Sequence, residues 1–294
     1  MSLPGRTALP QAFFLPTGAG QRFCLFHPAQ GDARRGCVLY LHPFAEELNC
    51  TRRVVARQAR ALASAGFGVL QIDLLGCGDS AGDFADATWP AWLSDAQQTH
   101  RWLTGHCGGP LWLWGMRSGA LLAAQLARLL QNESEPAHLL FWQPVASGQQ
   151  MLQQFLRLRT AGQWLSAHPA DERQPAQALA QGQTIDIAGY TLSPALAHGL
   201  GEARLQPPPL PLPYPGRLVW LEVSTQEVPA LSPAADKPLT AWRAAGWQVQ
   251  AQAVSGPAFW QTVGTDDAPD LIHATLAALA PLAPVAPLAS TPPP

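Results

Sequence analysis

The chain has 294 residues, with 18 Lys and Arg against 20 Asp and Glu, a formal net charge of −2 at neutral pH. So balanced a chain lacks the clustered basic surplus that a nucleic-acid partner requires. With 47% hydrophobic and 13% charged residues it can build a large core under a sparsely charged surface, and its 29 prolines, about twice the usual frequency, should mark the edges of folded elements.

No membrane span is expected. The uncharged stretch from Leu271 onward is broken by Pro281, Pro284 and Pro287 well before the ~20 residues a bilayer needs. Pro4, Pro10 and Pro16 interrupt the N-terminal apolar residues, so no signal peptide is visible and a cytoplasmic location is expected. The five cysteines (24, 37, 50, 77 and 107) are an odd count without a Cys-x-x-Cys pair, and read as reduced, mostly buried thiols.

In chain order, residues 37–41 (Cys-Val-Leu-Tyr-Leu) form an apolar run of the kind that becomes a strand buried on both faces. A helix is predicted over 51–65, stopped by Gly66, then a strand over 67–74, a glycine-rich turn, and a helix over 88–103 with Pro90 in its first turn. A strand over 111–114, a helix over 118–130 and a strand over 138–142 follow. The alternation lapses from about 145 to 215, with helical pieces at 149–158 and 176–181, an extended piece at 184–190 and a stiff proline connector at 207–213. It resumes as a strand over 217–223, a helix over 237–245, a strand over 247–254 and a helix over 269–280. Alternating strands and helices make a mostly parallel sheet with helices on both faces. The expected organisation is an N-terminal segment (1–20), a single α/β domain (21–280) with a cap inserted at about 146–215, and a disordered proline-rich tail (281–294).

Three loops fall at strand ends, where open α/β sheets hold ligands. They are the segment from Leu41 through His42, Phe44, Glu46 and Glu47 to Asn49, the segment from Asp73 through Gly76, Gly78 and Asp79 to Asp83, and Gly115-Met116-Arg117-Ser118-Gly119. Together they resemble the α/β-hydrolase fold, with an oxyanion loop, an Asp-x-x-Gly-x-Gly-x-Ser loop and a nucleophile elbow. The elbow needs small residues at its ends because the chain turns sharply from strand into helix, a need that Gly115 and Gly119 meet. At its centre stands Arg117, whose guanidinium stays protonated and cannot attack a carbonyl. Ser118 is one place too late, where this fold uses the backbone N–H as an oxyanion donor. The loop over 255–264, where a general base would sit, has no histidine, and His273 lies inside the last helix. Glu227 or Asp236 could supply the acid, but an acid without a histidine to orient has no triad role. His168 and His198 fall in the cap.

Gly76-x-Gly78 is a poor dinucleotide fingerprint, because Ala81 stands at the third glycine position and the next helix does not open at the glycines. His42, Glu46, Glu47 and Asp79 lack metal-ligand spacing, so neither metal nor cofactor is expected.

The segments LHPFAEELNCTRR (41–53), QIDLLGCGDSAGDFADATW (71–89), LWLWGMRSGALLA (111–123), WQPVASGQQMLQQFLRLR (142–159), IDIAGYTLSP (185–194) and GPAFWQT (256–262) resemble the exosortase A system-associated hydrolase 2 family over roughly residues 11–280. The resemblance implies an accessory, cytoplasmic hydrolase-like protein of an exosortase/PEP-CTERM system in an exopolysaccharide-producing bacterium. It also implies that the Gly-x-Arg-x-Gly elbow is the family's own pattern, with Ser118 incidental.

Three functions are consistent with these residues. In the first, the elbow is an anion site: Arg117 at a helix N-terminus, held by Glu46 or Glu47 when empty, takes an acidic small molecule or lipid-linked saccharide, with His42, Phe44, Met116, Ser118, Phe259 and Trp260 around it. In the second, the protein is an acyl hydrolase with relocated groups, in which Glu46, Glu47 or Asp79 activates water and Ser118 is a lesser candidate. In the third, it is a non-catalytic interaction protein docking onto other exosortase-system proteins through an apolar surface drawn from its eleven tryptophans.

Overall fold

The computed structural model describes residues 8–31, 34–131, 136–163, 175–210, 216–262, 264 and 266–280. Its centre is an eight-stranded sheet in the order β1-β2-β4-β3-β5-β6-β9-β10. The hairpin β1 (Gln11–Thr17) and β2 (Gly20–His27) forms one edge, and β2 runs antiparallel to β4 (Phe67–Ile72). From β4 the strands β3 (Gly36–Leu41), β5 (Leu111–Met116), β6 (His138–Trp142), β9 (Arg217–Ser224) and β10 (Gln248–Ser255) are all parallel.

Period-2 alternation sorts the strand residues into two cores. On one face Cys37, Leu39 and Leu41 of β3 and Leu113 of β5 pack under α2 (Trp89–His106) and α3 (Gly119–Leu129). On the other, Val38 and Tyr40, with Trp112, Trp114 and Met116, pack under α1 (Glu46–Ser64) and α8 (Pro269–Ala278). Nine of the eleven tryptophans are buried, and Trp102 stacks between Phe13 and His106, which leaves little aromatic surface among the described residues for a docking patch. No helix among the described residues is long and apolar enough to cross a membrane.

Between β6 and β9 the chain leaves the sheet for α4 (Gly148–Gln163), α5 (Pro175–Ala180), the hairpin β7 (Ile185–Ile187) and β8 (Tyr190–Leu192), and α6 (Pro194–Glu202). The extended piece expected over 184–190 is this hairpin, turned at Ala188 and Gly189 with positive φ. The sequence reading passes over α6, although Ser193 caps it by accepting from the Leu196 N–H and Pro194 stands in its first turn. It also passes over the edge hairpin: residues 11–17, set apart above as N-terminal segment, are β1, whose half-exposed alternation gives no continuous apolar run. α7 (Asp236–Ala244) lies where expected, the connector residues 207–210 have no regular structure, and 211–213 together with the 281–294 tail lie outside the described residues.

Burial also sets an acid limit on this fold. His138 accepts a hydrogen bond at Nδ1 from the Arg217 N–H at 3.2 Å, which requires the neutral ring. Burial, helped by the Arg217 charge, lowers its pKa to about 4. Between ~6.5, the ordinary value, and about 4 the unfolded chain therefore binds the proton that the folded chain refuses, so this contribution is present above pH ~6.5 and is lost as pH falls through that window, by about 3 kcal/mol. His27 and His42 are lowered in the same direction, also by burial. Urea unfolding of wild type and His138→Gln across pH 4–7 should show the variant's stability falling less steeply; equal slopes would contradict the assignment.

Candidate functional site

The elbow joins β5 to α3. A Cβ on Gly115 would stand 2.5 Å from Ala120 Cα, and one on Gly119 would collide with the Leu41 and His42 carbonyl oxygens, so both ends of the turn must be glycine. Arg117 at the apex has φ 54°, a left-handed conformation that costs a non-glycine residue about 1–2 kcal/mol and is held here by the packed strand and helix on either side. Its N–H donates to the Trp142 carbonyl at 3.0 Å, tying the apex to β6.

The apex side chain is clamped from three elements. Arg117 Nε and Nη2 donate to Glu47 Oε1, both at 3.1 Å, and Nε also reaches Oε2 at 3.3 Å. Nη2 donates as well to Gln154 Oε1 on α4 at 3.0 Å, and the guanidinium lies 5.6 Å from the ring centre of Trp260, in the loop after β10. The Arg117 and Glu47 side chains are 12% and 9% exposed. Burial pushes the Glu47 carboxyl upward and outweighs the opposing pull of Arg117. Nη1 makes none of these bonds to the described residues.

Glu46 and Glu47 are not in a loop, as expected above, but form the first turn of α1, which opens five residues before the predicted start. Asn49 and Cys50 interrupt the apolar periodicity there and hide the helix from a pattern reading, while carboxylates in a first turn suit its dipole. Glu47 thus places an internal anion where α1 and α3 both begin, and offsets the unfavourable Arg117 charge at the α3 N-terminus. Glu46, half-buried beside it, keeps Oε2 buried without a hydrogen-bond partner, and burial raises its carboxyl too.

The other expected residues are placed unequally. His42 is buried, with Nδ1 2.7 Å from the Pro43 carbonyl and Nε2 accepting from the Leu74 N–H at 3.3 Å. Both ring nitrogens serve the backbone, which makes His42 a loop anchor and not a ligand contact, and burial lowers its pKa. Phe44 packs edge-on to Phe155 of α4, and Met116 and Phe259 are core residues beneath the elbow. Ser118 is 3% exposed and its hydroxyl makes no capping bond to α3. Asp79 is exposed in a separate loop; Asp73 is the carboxylate that organises that loop, accepting from the Asp79 N–H at 3.1 Å and from Arg52 at 3.3 and 3.4 Å. Glu222, buried on β9, accepts from Trp220 Nε1, the Ser232 N–H and Ser232 Oγ. His198 is exposed on α6, and His168 lies outside the described residues. Gln154 was missed because nothing in the sequence separates it from Gln149, Gln150 and Gln153 on the same helix.

Set beside known proteins, residues 23–137 match the family model of X-Pro dipeptidyl-peptidase (S15 family). Protein ABHD12B of Homo sapiens is 30% identical over 118 residues, 40% of this chain and 31% of that protein, so the matched part spans about a third of the relative's length. The structure of ferulic acid bound to Est1E from Butyrivibrio proteoclasticus superposes with a TM-score of 0.63 at 13% identity, covering 91% of this chain and 96% of that one. An α/β serine hydrolase without a lid from Xanthomonas campestris superposes with a TM-score of 0.56 at 17% identity, covering 95% and 97%. The fold is that of the α/β-hydrolases. Within that fold this chain has an arginine at the elbow apex, and the described part of the loop after β10, where a base histidine is expected, presents Trp260 to it.

Proposed function

We propose that this α/β-hydrolase-like protein carries out no serine-hydrolase chemistry and instead binds a small anion at the Arg117–Glu47 pair. The ligand we infer is an acidic small molecule or the acidic group of a lipid-linked saccharide, and the setting is the exosortase/PEP-CTERM exopolysaccharide system whose accessory hydrolase family the sequence resembles. The observation that carries the reading is Arg117 at the apex with its Nε and Nη2 edge on Glu47, its side-chain bonds to the described residues leaving Nη1 unused. An incoming carboxylate or phosphate engages Nη1 and competes with Glu47 for the rest of the fork, at the end of α3 that already favours negative charge.

Competition of this kind fixes a pH dependence. As pH falls through the raised Glu47 value the internal carboxylate is neutralised, Arg117 is freed and anion affinity rises; at higher pH it falls. Titration calorimetry with glucuronate, inorganic phosphate and ferulate tests this, ferulate because Est1E, similar in fold, holds ferulic acid. Loss of one charge-assisted pair predicts about 10–100-fold weaker binding in Arg117→Ala. Glu47→Gln should bind more tightly and lose the pH dependence. Equal binding of every probe by Arg117→Ala and wild type would sink the reading.

One observation favours a second reading, a hydrolase in which Glu46 activates water: its Oε2 is buried and unpartnered, and burial shifts its carboxyl upward, toward a stronger base. Turnover of ester or thioester substrates that survives Ser118→Ala and is lost in Glu46→Gln would select it over anion binding alone.

A further inference from the structure

At the opposite end of the sheet from the elbow, where β3 and β4 begin, two cysteines 70 residues apart meet. Cys37 on β3 is paired in register with Gly68 on β4, so the two residues present the same face. Gly68 has no side chain, and the space above it is filled by the Cys107 thiol, since a Cβ there would run into Cys107 Sγ. Cys107 is the C-cap of α2, and its carbonyl accepts from Cys37 Sγ at 3.6 Å. The two thiols therefore lie side by side over one glycine. They differ in access: Cys37 is 1% exposed, whereas Cys107 is half-buried and lines a surface cavity of about 340 Å³ with Arg34, His106, Gly36 and Gly68. This contact joins β3 to α2, elements that no local sequence pattern brings together.

We infer that Cys107 is an oxidation site for hydrogen peroxide and that Cys37 resolves the product to a Cys37–Cys107 disulfide. In the first step the Cys107 sulfur attacks one peroxide oxygen, an S–O bond forms, the O–O bond breaks, and hydroxide leaves with the thiol proton as water. In the second step Cys37 sulfur attacks the Cys107 sulfenic acid, the S–S bond forms, the S–O bond breaks, and the Cys37 proton leaves with the hydroxyl as a second water. Two thiols are oxidised and one peroxide is reduced. The adjoining Cys37 thiol and the Arg34 charge hold the Cys107 pKa below its ordinary value, while Cys107 and burial push Cys37 up. Cys107, which lines the cavity, is the attacking sulfur, and the buried Cys37 beside it is the resolver. The remaining cysteines are less reactive: burial raises Cys24 to about 12, and Cys77 and Cys50 are raised as well.

The test uses the full reduced chain with hydrogen peroxide, followed by maleimide labelling and peptide mapping without reductant. Of the five cysteines, two should become unlabelled, joined in a single cross-linked peptide pair containing Cys37 and Cys107, and dithiothreitol should restore both. The oxidised chain should melt at a higher temperature, because the bond closes a long loop. In Cys37→Ala the reaction should stop at a Cys107 sulfenic acid that dimedone traps. Oxidation that falls first on Cys50, or leaves Cys37 and Cys107 unlinked in the wild-type chain, would overturn the proposal whether or not the variant folds.

Discussion

Replacing Asp95 with alanine is expected to destabilise the protein by about 3–5 kcal/mol, the cost of leaving a buried charge without its partner. Arg22 on β2 is fully buried, and its Nε donates to Asp95 Oδ2 on α2 at 2.8 Å, with the two side chains 1% and 3% exposed. The same oxygen accepts the Leu75 N–H at 2.9 Å, so the substitution orphans a backbone donor as well as a guanidinium. Arg22 Nη1 still reaches the Ala19 and Gln21 carbonyls, which hold the side chain in place without neutralising it. The pair fastens the edge hairpin to the helix that covers it. Urea unfolding at pH 7 measures the loss, and the double variant Arg22→Met with Asp95→Leu should recover part of it, because replacing both charges with apolar groups removes the desolvation cost while the Leu75 N–H stays without its acceptor. A loss below about 1 kcal/mol in Asp95→Ala would show that the hairpin is anchored by something else.

The second large effect lies at the elbow. Glu47→Ala leaves Arg117 with Gln154 and the Trp260 face but no counter-charge, and about 2–4 kcal/mol should be lost, somewhat less than for a pair wholly sealed from water. Arg117→Ala removes the cation and leaves Glu47, already pushed upward by burial, free to take up a proton, so its cost should be smaller. The two losses should not add. A double-mutant cycle read by urea unfolding is expected to return a coupling of about 1–3 kcal/mol between them. Additive losses would mean that the ion pair is geometric only. Because Gln154 belongs to α4, Glu47→Ala should also loosen that helix, visible as faster amide exchange over residues 148–158.

Much of the scaffold was legible from pattern. Buried parallel strands are short apolar runs between helices of 3.6-residue period, and β3, β5, β6 and β9 lie within a residue or two of the positions so read. The edge hairpin and α6 were not, because an edge strand is half-wet and a short cap helix has too few turns to show a stripe. The glycines of the elbow were readable because a sharp strand-to-helix turn tolerates nothing larger, and Arg117 between them was therefore placed at the apex from sequence.

Glu46 and Glu47 were readable as partners of that arginine, but which of the two meets it, and that Gln154 does, was not. Glu47 approaches from 70 residues away and Gln154 from 37, and neither distance leaves a periodic trace. His42, expected around the site, and Asp79, a candidate to activate water, do not meet Arg117: backbone donors and acceptors claim the first and solvent surrounds the second. Cys37 and Cys107 were read as ordinary buried thiols, and only the ladder register that sets Gly68 beside Cys37 puts their sulfurs together. Local sterics and burial periodicity are written in neighbouring residues, so the sequence by itself determined the alternating α/β plan, the glycine-bounded elbow and the arginine at its apex. Partner choice depends on through-space contact between distant segments, so the tertiary structure alone decided that Glu47 and not Glu46 takes the Arg117 fork and that Gln154 joins it.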